Sequence, residues 1–270
     1  MPDSYKRELT DLTKDQLISW LKDRGIASYR AAQILKWVYP RQENAFEKMT
    51  DLSKPLRAVL SDHFAVRRLV KRHTEISQDG SHKYLFLLDD GNLIESVLIP
   101  ERNHSTLCIS SQVGCAQGCR FCLTARQGFV RNLTAGEIIA QVRDVMRENH
   151  SNPLSNIVFM GMGEPLANYS NVVNAIRIIT DSDFGLKFSN RKVTVSTAGL
   201  VPKLSHLGTD TRVNIAISLN ATDNESRSRL MPINRKYPIE KLLKACHKYP
   251  LLPGRRIFFE YILIKGVNDT

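Results

Sequence analysis

Three cysteines fall within eight residues, Cys115-Ala-Gln-Gly-Cys119-Arg-Phe-Cys122. No other feature restricts the chain so tightly, because a loop with three thiolates must wrap around whatever binds them. The spacing C-x-x-x-C-x-x-C lets one loop serve three irons of a 4Fe–4S cube and leaves the fourth iron without a protein ligand. An open metal position is where chemistry takes place, by the logic that separates catalytic from structural zinc sites. A structural zinc would want a fourth Cys or His in register, and none follows closely. Disulfide bridges suit so tight a trio less well than a metal does.

The surroundings of this loop specify a fold. From about residue 104, strand and helix signals alternate. Strands are expected at Ser105–Ser110, Asn156–Met160, Lys192–Ser196, Val213–Leu219 and Ile257–Ile264. One intervening helix is clear: Thr134 caps it, Glu137 closes the capping box, and Ile138, Ile139, Val142, Val145 and Met146 form its inward stripe. Such alternation implies parallel strands with right-handed crossovers. In parallel βα barrels the active groups gather at the C-terminal strand ends, where the unusual residues of this chain lie. The cysteine loop follows the first strand, Gly161-Met-Gly-Glu-Pro165 the second, Ser196 ends the third, and Ser218-Leu-Asn220 the fourth. Glycines allow close approach of backbone to a ligand, a carboxylate can accept from an ammonium group, and small polar groups can bond a ribose. Plain strand-end capping is the competing reading of the serines.

The front of the chain reads differently. Thr13 with Gln16 forms a capping box, Leu17, Ile18 and Leu21 recur at helical spacing, and Gly25 supplies the stop. Further helices are expected at Tyr29–Tyr39 and Pro55–Phe64. Residues 66–76, 83–88 and 93–99 then read as strands of a small antiparallel sheet. Arg67, Arg68, Lys71 and Arg72 cluster on the first of them and could face phosphates, or form a solvated edge that discourages aggregation.

The formal net charge is +11, which favours a polyanionic partner, nucleic acid first. No run of about 18 apolar residues exists, so no membrane span is expected. The N-terminus shows no apolar signal segment, so a cytosolic, thiol-reducing location is expected.

With these motifs in hand, the chain resembles the radical SAM superfamily and, within it, the RlmN/Cfr family of RNA methyltransferases. The text that carries the likeness is Glu95-Ser-Val-Leu-Ile-Pro, Thr106-Leu-Cys108-Ile-Ser-Ser-Gln-Val-Gly-Cys115, Phe121-Cys122, Gly128-Phe-Val-Arg-Asn-Leu133, and the Gly161–Pro165 and Ser218–Asn220 motifs. The resemblance implies an α/β fold: a radical SAM partial (β/α)6 barrel without its last strand in this chain, preceded by a small helical domain and a short antiparallel sheet. It divides the chain into an RNA-binding helical domain (1–64), a β extension (65–100) and a C-terminally incomplete core (101–270). It implies a 4Fe–4S cluster on Cys115, Cys119 and Cys122. It also implies S-adenosylmethionine (SAM) contacts at Gly163, Glu164, Ser196, Ser218, Leu219 and Asn220. Glu95 matches the base that takes the adenine ring proton, and Cys108 matches the second cysteine, which resolves a thioether. The implied activity is methylation of carbon 2 of an adenosine in 23S rRNA, and of the adenosine next to the anticodon in tRNA, through a methyl-cysteine. An electron donor such as flavodoxin and a monomeric state are implied too. A Cfr-like carbon-8 methyltransferase, or a catalytically silent cluster- and RNA-binding fragment, is the alternative. The chain stops at Gly266-Val-Asn-Asp-Thr270, and the family's sixth strand, its SAM-binding Asn and its methyl-accepting Cys have no counterpart before that point. Cys246 lies in a predicted helix, where a structural thiol is expected.

Overall fold

The structure is a computed structural model that describes residues 6–148 and 152–269. Its frame is an eight-stranded mixed sheet. In chain order the strands are β1 (Arg7–Glu8), β2 (Phe64–Ala65), β3 (Val70–Ile76), β4 (His82–Leu87), β5 (Leu93–Pro100), β6 (Ser105–Cys108), β7 (Gln112–Gly114), β8 (Phe129–Asn132), β9 (Leu154–Phe159), β10 (Val193–Thr197), β11 (Asn214–Ser218) and β12 (Ile257–Glu260). The main sheet runs β12-β11-β10-β9-β6-β5-β4-β3. Strands β6, β9, β10, β11 and β12 are mutually parallel, matching the five expected from the sequence. The antiparallel ribbon β3-β4-β5 is not a separate sheet: β5 pairs with β6, Val97 opposite Cys108, and the two sheets are one.

Helices α1 (Lys14–Lys22), α2 (Arg30–Val38) and α3 (Lys54–His63) form the front of the chain. The Thr13–Gln16 capping box is present, and Ser53 caps α3 with Pro55 in the first turn. Helix α4 (Leu123–Arg126) follows the cysteines. Helices α5 (Ala135–Glu148), α6 (Tyr169–Thr180), α7 (Val201–Asp210), α8 (Asn224–Leu230) and α9 (Ile239–His247) lie between the parallel strands. They cover one face of the sheet. Leu107, Ile157, Val195 and Ile217 from the strands pack with Ile138, Val172, Leu204 and Leu242 from the helices, in one core that continues into Leu17, Ile34 and Leu60 of α1–α3.

Arg67 lies against Glu8 and Asp89, Arg68 bonds Asp144 of α5, and Lys71 bonds Glu148. Three of the four clustered cations are thus engaged by the chain's own acids, and only Arg72 of that cluster stands exposed with no ion pair among the described residues. The strand expected from residue 66 begins at Val70 because Leu69 N–H donates to Asp144 instead of to a neighbouring strand. The fifth parallel strand ends at Glu260, short of Ile264. Ile262 N–H donates to Asn220 Oδ1, and Ile262 C=O accepts from Asn268 Nδ2, so the chain turns away.

Gln141 fastens α5 to the seam between the two parts of the sheet. Fully buried, it accepts from Ser96 Oγ and Ser110 N–H and donates to Ser110 C=O. Gln141→Leu strips three buried groups of their partner, each worth about 1–3 kcal/mol when left unsatisfied. A loss of about 3 kcal/mol is expected, read as a lower urea midpoint at unchanged slope.

Candidate functional site

A cleft of about 380 Å3 opens at the C-terminal ends of the parallel strands. Cys115, Cys119 and Cys122 line one part of it. Gly161, Gly163 and Glu164 after β9, Ser196 and Thr197 on β10, Ser218 and Asn220 at β11, and Glu260 on β12 line the rest. Leu219, Cys108 and Glu95 are not in its wall. Strand register nevertheless puts Cys108 and Glu95 on the same sheet face as the cleft. Residues paired across a ladder share a face, and alternate residues along a strand do too. The set runs from Glu95 and Val97 through Cys108, Val158, Thr194 and Ser196 to Ala216, Ser218 and Glu260.

The three cysteines are free thiols. The hairpin β7–β8 shapes their loop, with Cys115 N–H donating to Gly128 C=O and Cys122 N–H to Cys119 C=O. Burial pushes the Cys119 thiol up to about 12, and the neighbouring Cys115 and Cys122 reinforce this. Held as thiolates, they would need a positively charged partner to offset their mutual repulsion. Among the described residues no three His, Cys, Asp or Glu side chains converge closely enough to hold a single metal ion. Three thiols spaced around one end of a cleft fit a cube in which each binds a different iron.

Glu164 is 3 % exposed. Its carboxylate accepts from Leu166 N–H at 3.0 Å, Thr197 Oγ1 at 2.7 Å and Ala198 N–H at 2.7 Å. It ties the loop after β9 to the end of β10, and burial pushes its pKa up against the pull of those bonds. The glycines beside it serve packing between loops. A Cβ on Gly161 would lie 2.7 Å from Ile109 C, and one on Gly163, whose φ is +102°, 2.6 Å from Gln112 Cβ. Gln112 in turn accepts from Glu164 N–H.

The serines have a partner that the sequence reading missed. Ser196 Oγ donates to Glu260 Oε2 at 2.6 Å and Ser218 Oγ to the same oxygen at 3.1 Å. Glu260 is the one charge in the apolar run Ile257–Ile264, which was its signal in the sequence. Asn220 adopts φ +57°, and its side chain is engaged by Ile262 N–H and Met231 Sδ. Leu219 contributes its backbone, accepting from Arg227 Nε. Cys108 is mostly buried, which pushes its thiol up to about 11. Glu95 is half-exposed, with Lys83 Nζ at 4.0 Å. Cys246 is buried in α9 away from the cleft wall, as expected of a structural thiol.

A five-stranded parallel βα sheet with a three-cysteine loop after its first strand and a polar cleft across its strand ends defines a radical SAM protein. Residues 109–270 match the Radical SAM superfamily model, and residues 7–66 match the model of the ribosomal RNA large subunit methyltransferase N-terminal domain. The chain is 54 % identical over 265 residues to the dual-specificity RNA methyltransferase RlmN of Desulfosudis oleivorans, covering 98 % of this chain and 71 % of that protein. It is 53 % identical to RlmN of Geobacter sulfurreducens, covering 97 % of this chain and 72 % of that one. A solved radical SAM methyltransferase from Sphaerobacter thermophilus superposes with a TM-score of 0.89 at 43 % identity, over 97 % of this chain and 78 % of its own. The chain belongs to the RlmN family. Its cofactors are accordingly a 4Fe–4S cluster and SAM.

Glu164→Gln tests the local construction. A carboxamide has one acceptor oxygen where three N–H and O–H donors now converge, so at least one donor faces an NH2 group. A loss of about 1–3 kcal/mol is expected, seen as a lower thermal midpoint, together with weaker SAM binding in calorimetry.

Proposed function

We propose that this chain is the RNA-methylating body of an RlmN-type enzyme, acting on carbon 2 of an adenosine in 23S rRNA and of the adenosine next to the anticodon in tRNA. The observation that carries the reading is the common sheet face: Ser196, Ser218 and Glu260 of the cleft lie on it with Cys108 and Glu95, and the three cysteines line the same cleft. When bound, the cluster and SAM supply one electron and a deoxyadenosyl radical.

The chain's own residues have these roles. Cys115, Cys119 and Cys122 hold the cluster. Gly163, Glu164, Ser196, Ser218 and Asn220 shape and line the SAM site, with Leu219 fixing the strand end between them. Glu260 orients both serine hydroxyls. Glu95 is the base for the adenine ring proton. It is half-exposed, so a nucleobase can reach it, and Lys83 Nζ lies 4.0 Å away. Cys108 is the resolving thiol. Burial raises its pKa to about 11, which keeps the thiol protonated at neutral pH.

Residues 1–64 form the RNA-binding domain in this reading, 65–100 a β extension, and 101–270 the radical SAM core. Three arginines in or just after the front helices lie over aromatic rings: Arg24 on Trp20 at 4.1 Å, Arg41 on Trp37 at 4.0 Å and Arg30 on Tyr29 at 4.8 Å. Guanidinium groups held over rings suit phosphates and unstacked bases. A monomer in the cytosol, reduced by a flavodoxin-like donor, completes the proposal. No helix among the described residues is long and apolar enough to cross a membrane.

Protein purified without oxygen should be brown, with about four irons and matching sulfide per chain. Cys119→Ala should lose both colour and sulfide, and iron retained at the parent level would refute the ligand assignment. Affinity for a 23S hairpin should fall about 10³-fold or more between 50 and 200 mM salt, given six or more phosphate contacts. A flat salt response in a binding assay would remove the phosphate-based reading. Mass spectrometry of RNA from a deletion strain carrying the intact gene should show 2-methyladenosine. Appearance of 8-methyladenosine instead would assign the carbon-8 chemistry.

A further inference from the structure

Arg227 of α8 has no exposure to solvent and is the largest fully buried side chain among the described residues. Its donors go to neutral acceptors alone: Nε to Leu219 C=O at 3.0 Å, Nη1 to Asn234 Oδ1 at 2.9 Å, and Nη2 to Ala198 C=O at 2.9 Å and Ser218 C=O at 3.2 Å. No carboxylate pairs with it among the described residues. Desolvating a guanidinium costs several kcal/mol, and dipoles alone offset that only in part. A buried cation without a counter-ion is therefore a request for negative charge nearby.

The thiols close enough to act on Arg227 are Cys119 of the cysteine loop, first, and Cys246 of α9. Cys119 packs on the small apolar group Ala198, Leu230 and Met231. Ala198 carries the carbonyl that Arg227 bonds, and Leu230 and Met231 follow Arg227 on the same segment. Arg120 N–H donates to Leu230 C=O at 2.9 Å, which locks the loop to the end of α8. Another buried charge, Glu164, does not meet Arg227: it holds the N–H of Ala198, whereas Arg227 holds the C=O.

We propose that Arg227 is the counter-charge of the cluster site, a positioning residue that sits behind Cys119 and favours the more reduced, more negative state of whatever the three cysteines hold. The proposal rests on the cluster assignment above. Its physical basis is simple. A one-electron reduction adds a unit of negative charge beside a fixed, buried, unneutralised cation, and in a low-dielectric surrounding that attraction is weakly screened. The same guanidinium also clamps the ends of β10 and β11. A purely structural role would end there.

The test is a redox titration of the reconstituted full chain, followed by the electron-paramagnetic resonance signal of the reduced cluster, beside iron and sulfide counts and a thermal midpoint. Three variants separate charge from clamp. Arg227→Met removes both, Arg227→Lys keeps the charge and loses the fork, and Asn234→Asp keeps Arg227 but sets a carboxylate on it. At a fixed potential the ratio of reduced to oxidised cluster should fall about tenfold in Arg227→Met and in Asn234→Asp, a displacement of about 59 mV to more negative potential for a one-electron couple. Arg227→Lys should stay near the parent potential while melting earlier. Should Arg227→Met fail to fold, Asn234→Asp decides alone. Parent-like potentials in the variants that lose or neutralise the charge overturn the proposal and leave Arg227 a clamp. A parent protein without iron and sulfide would instead bring down the cluster assignment itself, a separate outcome read before any titration.

Discussion

Everything at the site depends on β6 pairing in opposite senses along its two edges, antiparallel with β5 and parallel with β9. This double pairing fuses a hairpin ribbon and a parallel βα layer into one ladder. Because side chains alternate across a sheet, a shared ladder means a shared face. Glu95 from the ribbon and Ser196, Ser218 and Glu260 from the parallel strands come to the same side only because β6 keeps both registers. A slip of one residue would turn Cys108 into the helical core and Leu107 out of it. The buried amide of Gln141 guards that register from the helical side.

The strand ends are organised by two buried charges that never touch. Glu164 collects donors and Arg227 distributes donors, and Ala198 lies between them, bonded to both. Each charge is solvated by the chain in place of water. The loops after β9, β10 and β11 are thereby fixed relative to one another without contact between the ions. The thiols, the serine hydroxyls and the Glu260 carboxylate are then left to face the cleft.

Much of this was legible in the sequence, for identifiable reasons. The cysteine spacing, the capping boxes at Thr13 and Thr134, and the five parallel strands are local patterns, and local patterns are written in consecutive residues. The fusion of the two sheets was not legible, because β5–β6 pairing is set by register and not by composition. The clustered cations at 67–72 read equally as a phosphate-facing edge or a solvated one, because the partners of three of them, among them Glu8, Asp144 and Glu148, are distant in sequence. Gly161 and Gly163 were read as making room for a ligand; they line the cleft, and they also make room for Ile109 and Gln112, which no local pattern announced. Glu260 was visible as a lone charge in an apolar strand, yet its meaning needed two serines from neighbouring strands. Arg227 gave no signal, since an arginine in a polar helix usually faces water.

The strands of the main sheet are laid down in chain order, from β3 at one edge to β12 at the other, with only the β7–β8 hairpin set aside. A sheet ordered this way grows by addition at one edge, and each arriving strand needs only the edge made just before it. The β3-β4-β5 ribbon closes over short loops and is the cheapest part to nucleate. The step from β6 to β9 must span the cysteine loop, the β7–β8 hairpin and α5, and so carries the largest closure cost of the early assembly. A chain emerging N-terminus first therefore builds the wall carrying Glu95 and Cys108 before it fixes the loop that holds the metal ligands.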